Sequence, residues 1–87
     1  MKKLLVFTAP WCGPCTTMYP IIQELTSELK GKIVVEKVSM DDNQDTAVKY
    51  GVRSIPAFVL LDSDDSFITI KVGSMPKDEL SRFVSSE

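Results

Sequence analysis

Histidine is absent from this chain of 87 residues. Without an imidazole, the Ser-His-Asp and Cys-His arrangements of nucleophilic catalysis are excluded, together with most zinc sites. A basic excess is missing as well, because ten Lys and Arg residues stand against twelve Asp and Glu residues, for a net charge of -2. Such a chain has no electrostatic basis for holding nucleic acid or an anionic membrane, and we expect neither as a partner.

Long apolar stretches are also missing. No segment approaches the roughly 20 apolar residues of a membrane-spanning helix. The basic pair and apolar run that open the chain resemble a signal peptide, but the run ends at Thr8, short of the roughly 7–15 residues of a signal-peptide core. We therefore interpret it as a buried strand and expect a soluble protein of the cytoplasm. In that reducing compartment a cysteine pair is more often catalytic or metal-binding than a structural cross-link.

The hydrophobic pattern divides the first part of the chain into a strand and a helix. A compact apolar run predicts a buried strand over residues 3–8. From residue 13 to residue 30 the period becomes helical, and Gly31 is suited to end the helix. Pro20 lies inside this helix and should kink it, because proline lacks the amide donor for its turn. The buried stripe consists of Met18, Ile21, Ile22, Leu25 and Leu29.

The rest of the chain contains three further strands and two further helices. The predicted elements are a strand at 33–39, a short helix at 44–50 ended by Gly51, strands at 57–61 and 67–72, and a last helix that begins at Pro76. In the last strand Ile68, Ile70 and Val72 alternate with polar residues, as in a half-exposed edge strand. The buried stripe of the last helix consists of Leu80, Phe83 and Val84.

These elements give the order β-α-β-α-β-β-α in one domain over residues 1–87. A helical crossover makes the first two strands parallel, and the short polar break at 62–66 makes the last two an antiparallel hairpin. The predicted fold class is therefore α/β, a four-stranded mixed sheet with helices on both faces.

The chain's two cysteines flank the dipeptide Gly13-Pro14 where the first strand meets the first helix. A disulfide nucleophile must be a thiolate, and the helix N-terminus offers Cys12 free N–H groups and the positive end of the dipole. Pro14 has no N–H, so the amide of Cys15 is the expected donor to the Cys12 sulfur. Cys15 lies one turn into the helix and should be more buried. Cys12 would attack a substrate disulfide, and Cys15 would then resolve the mixed disulfide.

Two other interpretations of the cysteine pair remain open. The cysteines could be buried neighbours without a chemical role, although the junction between strand and helix and the preceding Trp11 favour chemistry. They could also bind a metal, but a structural zinc site takes four Cys or His ligands, so the metal would have to be shared between two chains.

Several segments resemble the thioredoxin family. Residues 9–15, Ala-Pro-Trp-Cys-Gly-Pro-Cys, are similar to its active site. Asp41 and residues 49–56 resemble the stretch that leads to its cis-proline, and residues 71–73 resemble its C-terminal glycine loop. The resemblance covers nearly the whole chain from residue 3 and implies the thioredoxin fold. Thioredoxins usually carry an extra strand and helix before this point, so the chain looks like a compact, glutaredoxin-sized member.

The resemblance implies roles for particular residues. Cys12 would be the attacking cysteine and Cys15 the resolving one. Pro56 would be cis and would pack against the disulfide, and the backbone of Ile55 would pair with a bound substrate strand. Trp11 should be partly exposed in an apolar patch around Cys12. The implied substrate-binding residues are Trp11, Gly13, Pro14, Ile55, Pro56 and Gly73.

One position departs from the family. Thioredoxins commonly hold a buried aspartate on the active-site strand, which helps to move the proton of the resolving cysteine. The matching residue here is Val6, although Lys37 is present where the family often has a lysine near that carboxylate. We therefore expect slower resolution by Cys15 than in a thioredoxin that has the acid.

The leading hypothesis is a monomeric dithiol reductant of protein disulfides, an enzyme without a cofactor other than its Cys12–Cys15 disulfide. The resemblance implies a flavoprotein of the thioredoxin reductase type as electron donor, and substrates such as a ribonucleotide reductase or a peroxidase. The alternatives are a glutaredoxin-like reductase that uses glutathione and a docking subunit without a redox role. A thiol oxidant or isomerase is disfavoured, because no histidine stands between the cysteines.

Overall fold

The computed structural model describes residues 1–85 and contains the predicted order of elements. The last two residues of the predicted domain, 86 and 87, lie outside the described residues. The strands and helices are β1 (Lys2–Thr8), α1 (Gly13–Glu28), β2 (Ile33–Ser39), α2 (Gln44–Lys49), β3 (Ala57–Leu61), β4 (Phe67–Val72) and α3 (Lys77–Ser85).

Within residues 1–85 the strands form one four-stranded sheet in the order β2-β1-β3-β4. β1 runs parallel to β2 and antiparallel to β3, and β3 and β4 form an antiparallel pair. The mixed sheet and both predicted pairings are therefore confirmed. The central place of β1 carries its C-terminal end, and the cysteines that follow, to the middle of one edge of the molecule.

Alternate residues of β1 face two separate cores. Leu4 and Val6 pack with α1, α3 and Phe58 on one face of the sheet. Leu5 and Phe7 pack with Ala47 of α2 on the other. Helices therefore cover both faces, as predicted, and the near-continuous apolar run of β1 reflects burial on both sides. The predicted stripe of α1 lies in the first core, where Ile21 and Leu29 are partly buried.

β1, α2 and α3 each differ from the predicted bounds by one residue, and two details differ more. α1 ends at Glu28, and its C-cap is Leu29, whose N–H donates to the Leu25 carbonyl at 2.9 Å. Gly31 instead takes a positive φ of 84° in the following turn, which favours glycine. The alternation in β4 is also weaker than expected. Its four central residues are all partly buried and Val72 is half exposed, whereas the predicted place of this strand at an edge of the sheet is confirmed.

Ion pairs join the elements at the surface. Lys77 at the start of α3 pairs with Glu28 at the end of α1, and Lys71 of β4 lies 3.5 Å from Glu79 of α3. None of the helices in the described part of the chain is long and apolar enough to cross a membrane.

Candidate functional site

The backbone turns sharply between the end of β1 and the start of α1. The N–H of Cys12 donates to the Ala9 carbonyl at 3.1 Å and closes this turn. Cys12 is the N-cap of α1, with an extended backbone (φ -92°, ψ 107°). Gly13 and Pro14 form the exposed first turn of the helix, where a proline costs no intrahelical hydrogen bond. The sequence thus places the first cysteine sulfur at the positive end of the helix dipole.

Cys12 and Cys15 form a disulfide, with their Cα atoms 5.3 Å apart. The N–H of Cys15 donates to Sγ of Cys12 at 3.2 Å, as expected from the missing N–H of Pro14. In the dithiol state the same N–H and the helix dipole would stabilise negative charge on the Cys12 sulfur. The local geometry therefore favours Cys12 over Cys15 as the nucleophile.

Burial also distinguishes the two cysteines. Cys15 is fully buried, whereas Cys12 is 5% exposed, so the predicted difference in burial is present but small. Both belong to a cluster with Ala9, and Met40 and Ile55 pack against this cluster. Sγ of Cys12 lies 3.9 Å from the carbonyl oxygen of Ile55. Little of the Cys12 side chain is therefore open to solvent in the disulfide state.

Trp11 is 67% exposed, which confirms the expected exposure next to the cysteines. Its indole Nε1–H donates to both carboxylate oxygens of Asp41, at 3.1 and 3.2 Å. Asp41 follows β2 and is 30 residues away in the sequence. The pattern of the sequence did not predict this hydrogen bond, because it depends on the register between β1 and β2, which places Ser39 beside Thr8.

The segment before β3 lies against the cysteines. The Ile55–Pro56 peptide bond is cis, as the family resemblance implied, and Pro56 is fully buried. The Pro56 carbonyl accepts from the N–H of Gly73 at 2.8 Å. Gly73 has φ +106°, a conformation that favours glycine. The next residue, Ser74, donates its hydroxyl to the Pro14 carbonyl at 3.5 Å. The cysteine turn, the cis-proline segment and the glycine loop therefore lie next to one another.

Met40 also belongs to the site, although no local pattern in the sequence predicted it. Its N–H donates to the carbonyl of Thr8 at the end of β1, at 2.9 Å. Its partly buried side chain packs against the cluster of Ala9, Cys12 and Cys15, and also against the core on the α2 side of the sheet.

Val6 is fully buried on the face of β1 that α1 covers. Thr8 is the one buried polar side chain among residues 1–85, so this part of the chain holds no buried acid below the cysteines. Lys37 pairs with Val6 in the register of β1 and β2, but it is exposed, and its ammonium lies 6.0 Å from the ring centroid of Tyr19. The lysine therefore has an aromatic partner where the family pattern has a carboxylate.

No group of three or more His, Cys, Asp or Glu side chains in the described residues is arranged to hold a metal ion. The redox-active group in this part of the molecule is the disulfide itself.

Known proteins share this sequence pattern. A family model described as Thioredoxin matches residues 1–86. The thioredoxin of Haemophilus influenzae is 43% identical over 82 residues, which are 94% of this chain and 76% of that protein. The thioredoxin of Bacillus subtilis is 43% identical over 91% of this chain and 75% of its own length. The thioredoxin of Pseudomonas aeruginosa is 40% identical over 95% of this chain and 76% of its own length.

Proposed function

The chain belongs to the thioredoxin family and is a thiol-disulfide oxidoreductase, and we propose that it reduces protein disulfides through Cys12 and Cys15. The observation that carries this assignment is the hydrogen bond from the Cys15 N–H to Cys12 Sγ at the N-terminus of α1. In the dithiol state this N–H would stabilise the thiolate of Cys12, the more exposed cysteine. Cys15, which is bonded to Cys12 in the disulfide, would supply the second thiol.

The reaction has two exchange steps. The thiolate of Cys12 attacks one sulfur of a substrate disulfide, the substrate S–S bond breaks, and its other sulfur leaves as a thiolate. Cys15 then loses its proton and attacks Sγ of Cys12. The mixed disulfide breaks, the second substrate thiolate leaves, and the Cys12–Cys15 disulfide forms. Two electrons pass from the cysteine pair to the substrate.

The substrate would bind across the exposed surface around Cys12. The proposed contact residues are Trp11, Gly13, Pro14, Ile55, Pro56 and Gly73. The proximity of the Ile55 carbonyl to Cys12 Sγ supports this role, because an extended peptide that pairs with the Ile55 backbone would bring its own disulfide to that sulfur. The exposed indole of Trp11, which directly precedes Cys12, provides further apolar area for the substrate.

Family membership implies reduction by a thioredoxin reductase and disulfide-bonded substrates. We propose that this reductase is a flavoprotein and that the substrates are disulfides such as those of a ribonucleotide reductase or a peroxidase. We further propose that residues 1–87 form one domain, which acts as a monomer. Action in the cytoplasm is supported by the single cysteine pair, which suits a reducing compartment.

Reduction of insulin in the presence of dithiothreitol tests the assignment. Cys12→Ser should abolish turnover, whereas Cys15→Ser should accumulate a mixed disulfide that non-reducing electrophoresis detects. Thr17→Ser, an exposed change on the first turns of α1, serves as the matched control and should behave as the wild type. Turnover by Cys12→Ser would show that Cys12 is not the nucleophile.

The electron donor distinguishes the thioredoxin-type from the glutaredoxin-like reductase. We expect a flavin-dependent thioredoxin reductase, rather than glutathione, to reduce the oxidised protein. The reduction potential should lie near that of thioredoxin, about -270 mV, rather than in the glutaredoxin range of about -200 to -230 mV. Reduction by glutathione alone, with a potential in the higher range, would favour the glutaredoxin-like alternative.

A further inference from the structure

The four methionines occupy different environments. Met18 and Met75 are buried, with 1% and 6% of their surface exposed, and the N–H of Met75 donates to the Met18 sulfur. Met1 is 62% exposed but precedes β1, whose seven residues place it about 20 Å from the Thr8 end of the strand. Met40 is partly exposed and packs against the cysteines. It is therefore the methionine of the site that an oxidant in solution can reach.

We propose that Met40 is a second redox-active position, at which a peroxide switches off the disulfide reductase by forming methionine sulfoxide. The thioether sulfur attacks one oxygen of the peroxide, the O–O bond breaks and an S–O bond forms. Hydrogen peroxide leaves as water, and an organic peroxide leaves as an alcohol. The sulfur loses two electrons and the peroxide gains them, so the step needs no further reactant.

The surroundings of Met40 explain why this change would affect catalysis. The side chain packs against the cluster of Ala9, Cys12 and Cys15, and Ile55 packs against the same cluster. A sulfoxide is polar, and its oxygen is destabilised in an apolar contact without a hydrogen-bond donor. The oxidised side chain would therefore leave the cluster for solvent, and the packing around the two cysteines would change.

A movement of Met40 would also reach the indole beside Cys12. The next residue in the chain is Asp41, which accepts the hydrogen bond of Trp11. The N–H of Met40 donates to the Thr8 carbonyl, so Met40 and Asp41 belong to one segment that is attached to the end of β1. Oxidation of the Met40 sulfur would thus affect both the packing around the cysteines and the position of the Trp11 indole, two parts of the surface that the proposed substrate contacts.

This inference rests on the proposed reductase function, and the experiment separates the two. The protein is first oxidised to the Cys12–Cys15 disulfide, which shields both cysteines, and is then treated with hydrogen peroxide. After the peroxide is removed, insulin reduction with dithiothreitol is compared with that of each variant's own untreated sample. The untreated activity tests the function, and the ratio of treated to untreated activity tests the proposal.

Wild type should lose activity by about fivefold or more, in proportion to the sulfoxide found at Met40 by peptide mass spectrometry. Met40→Leu keeps the apolar volume but has no sulfur, so its treated-to-untreated ratio should stay near one. Met75→Leu, the matched control, should lose activity as the wild type does. Treatment of the oxidised wild type with methionine sulfoxide reductases should restore activity.

Three results would overturn the proposal. One is a loss of activity in peroxide-treated Met40→Leu equal to that of the wild type, which would show that the inactivating oxidation occurs at another residue. Another is oxidation of Met18 or Met75 before Met40. The third is full activity of wild type in which Met40 is already the sulfoxide.

Discussion

Replacement of Val6 by aspartate tests how Cys15 loses its proton. Val6 is fully buried in the cluster that contains Met18, one helical turn after Cys15. A carboxylate at this position would lie in the layer between β1 and α1, on the side of the helix that holds the buried cysteine. We expect Val6→Asp to speed the resolution of a mixed disulfide, because the carboxylate can accept the Cys15 proton directly or through water.

The burial of Val6 sets the size of the effects. A fully buried carboxyl group without a cationic partner has its pKa raised by about 3–5 units, from about 3.9 to about 7–9. That range suits a proton acceptor near neutral pH, and a positioned general base contributes about 100-fold or more. The change in pKa alone costs about 4 kcal/mol of unfolding free energy at pH 7, at about 1.4 kcal/mol per unit.

The cost in stability depends on pH with a defined sign. Because the folded-state pKa lies above the unfolded-state value, the penalty is absent below about pH 4 and grows as the pH rises toward the folded-state pKa. A domain of this size has a total free energy of unfolding of roughly 4–13 kcal/mol. The measured rates must therefore be corrected for the fraction of the variant that is folded. Circular dichroism at each pH supplies that correction.

The assay uses an aromatic disulfide that releases a coloured thiolate. Attack by Cys12 releases the first thiolate, and resolution by Cys15 releases the second, whose rate is followed by stopped-flow absorbance. Val6→Asn is the matched control, because it introduces a polar group of similar size that does not titrate. If Val6→Asp resolves the mixed disulfide no faster than Val6→Asn or the wild type, the lack of a buried acid does not limit this step.

The remaining predictions concern two exposed carboxylates. Asp41→Ala removes the acceptor of the Trp11 indole and should raise the KM for insulin about fivefold, corresponding to about 1 kcal/mol, with kcat nearly unchanged. Asp41→Asn retains an acceptor oxygen and should recover most of the loss, and a fall in kcat alone would contradict a positioning role. Asp64 accepts hydrogen bonds from the side chain and backbone N–H of Ser66, which lowers the pKa of its carboxyl. It therefore adds stability above its unfolded-state pKa that is lost as the pH falls through the folded-state value. Ser66→Ala should bring the pKa back toward its ordinary value in an NMR titration, and an unchanged pKa would refute the assigned cause.

Much of the fold follows from local patterns. The apolar run of β1, the stripe of α1 and the β-branched residues of β2 each specify an element without reference to the rest of the chain. The end of α1 was predicted two residues too late, because Gly31 is a residue type that often ends a helix but here lies in the turn after the Leu29 cap. The position of β3 beside β1 could not be derived from periodicity, since it depends on how the chain reverses before Pro56.

The same division holds at the site. The hydrogen bond between Cys15 and Cys12 could be predicted, because it depends only on the geometry of one helical turn and on the missing N–H of Pro14. The contacts of Met40 and Asp41 could not be, because they depend on the alignment of two strands that are more than 20 residues apart. Residues that meet across a sheet leave no local trace in the sequence.

Trp11 has a consequence for how the molecule can be studied. It is the single tryptophan of the chain, it is mostly exposed, and it directly precedes Cys12. Indole emission responds to the polarity of its surroundings and to nearby quenching groups, and no second tryptophan contributes a background from either core. The chain therefore carries an intrinsic fluorophore confined to the proposed site. Opening of the disulfide, arrival of a substrate and loss of the Asp41 contact can each be followed in the unlabelled protein.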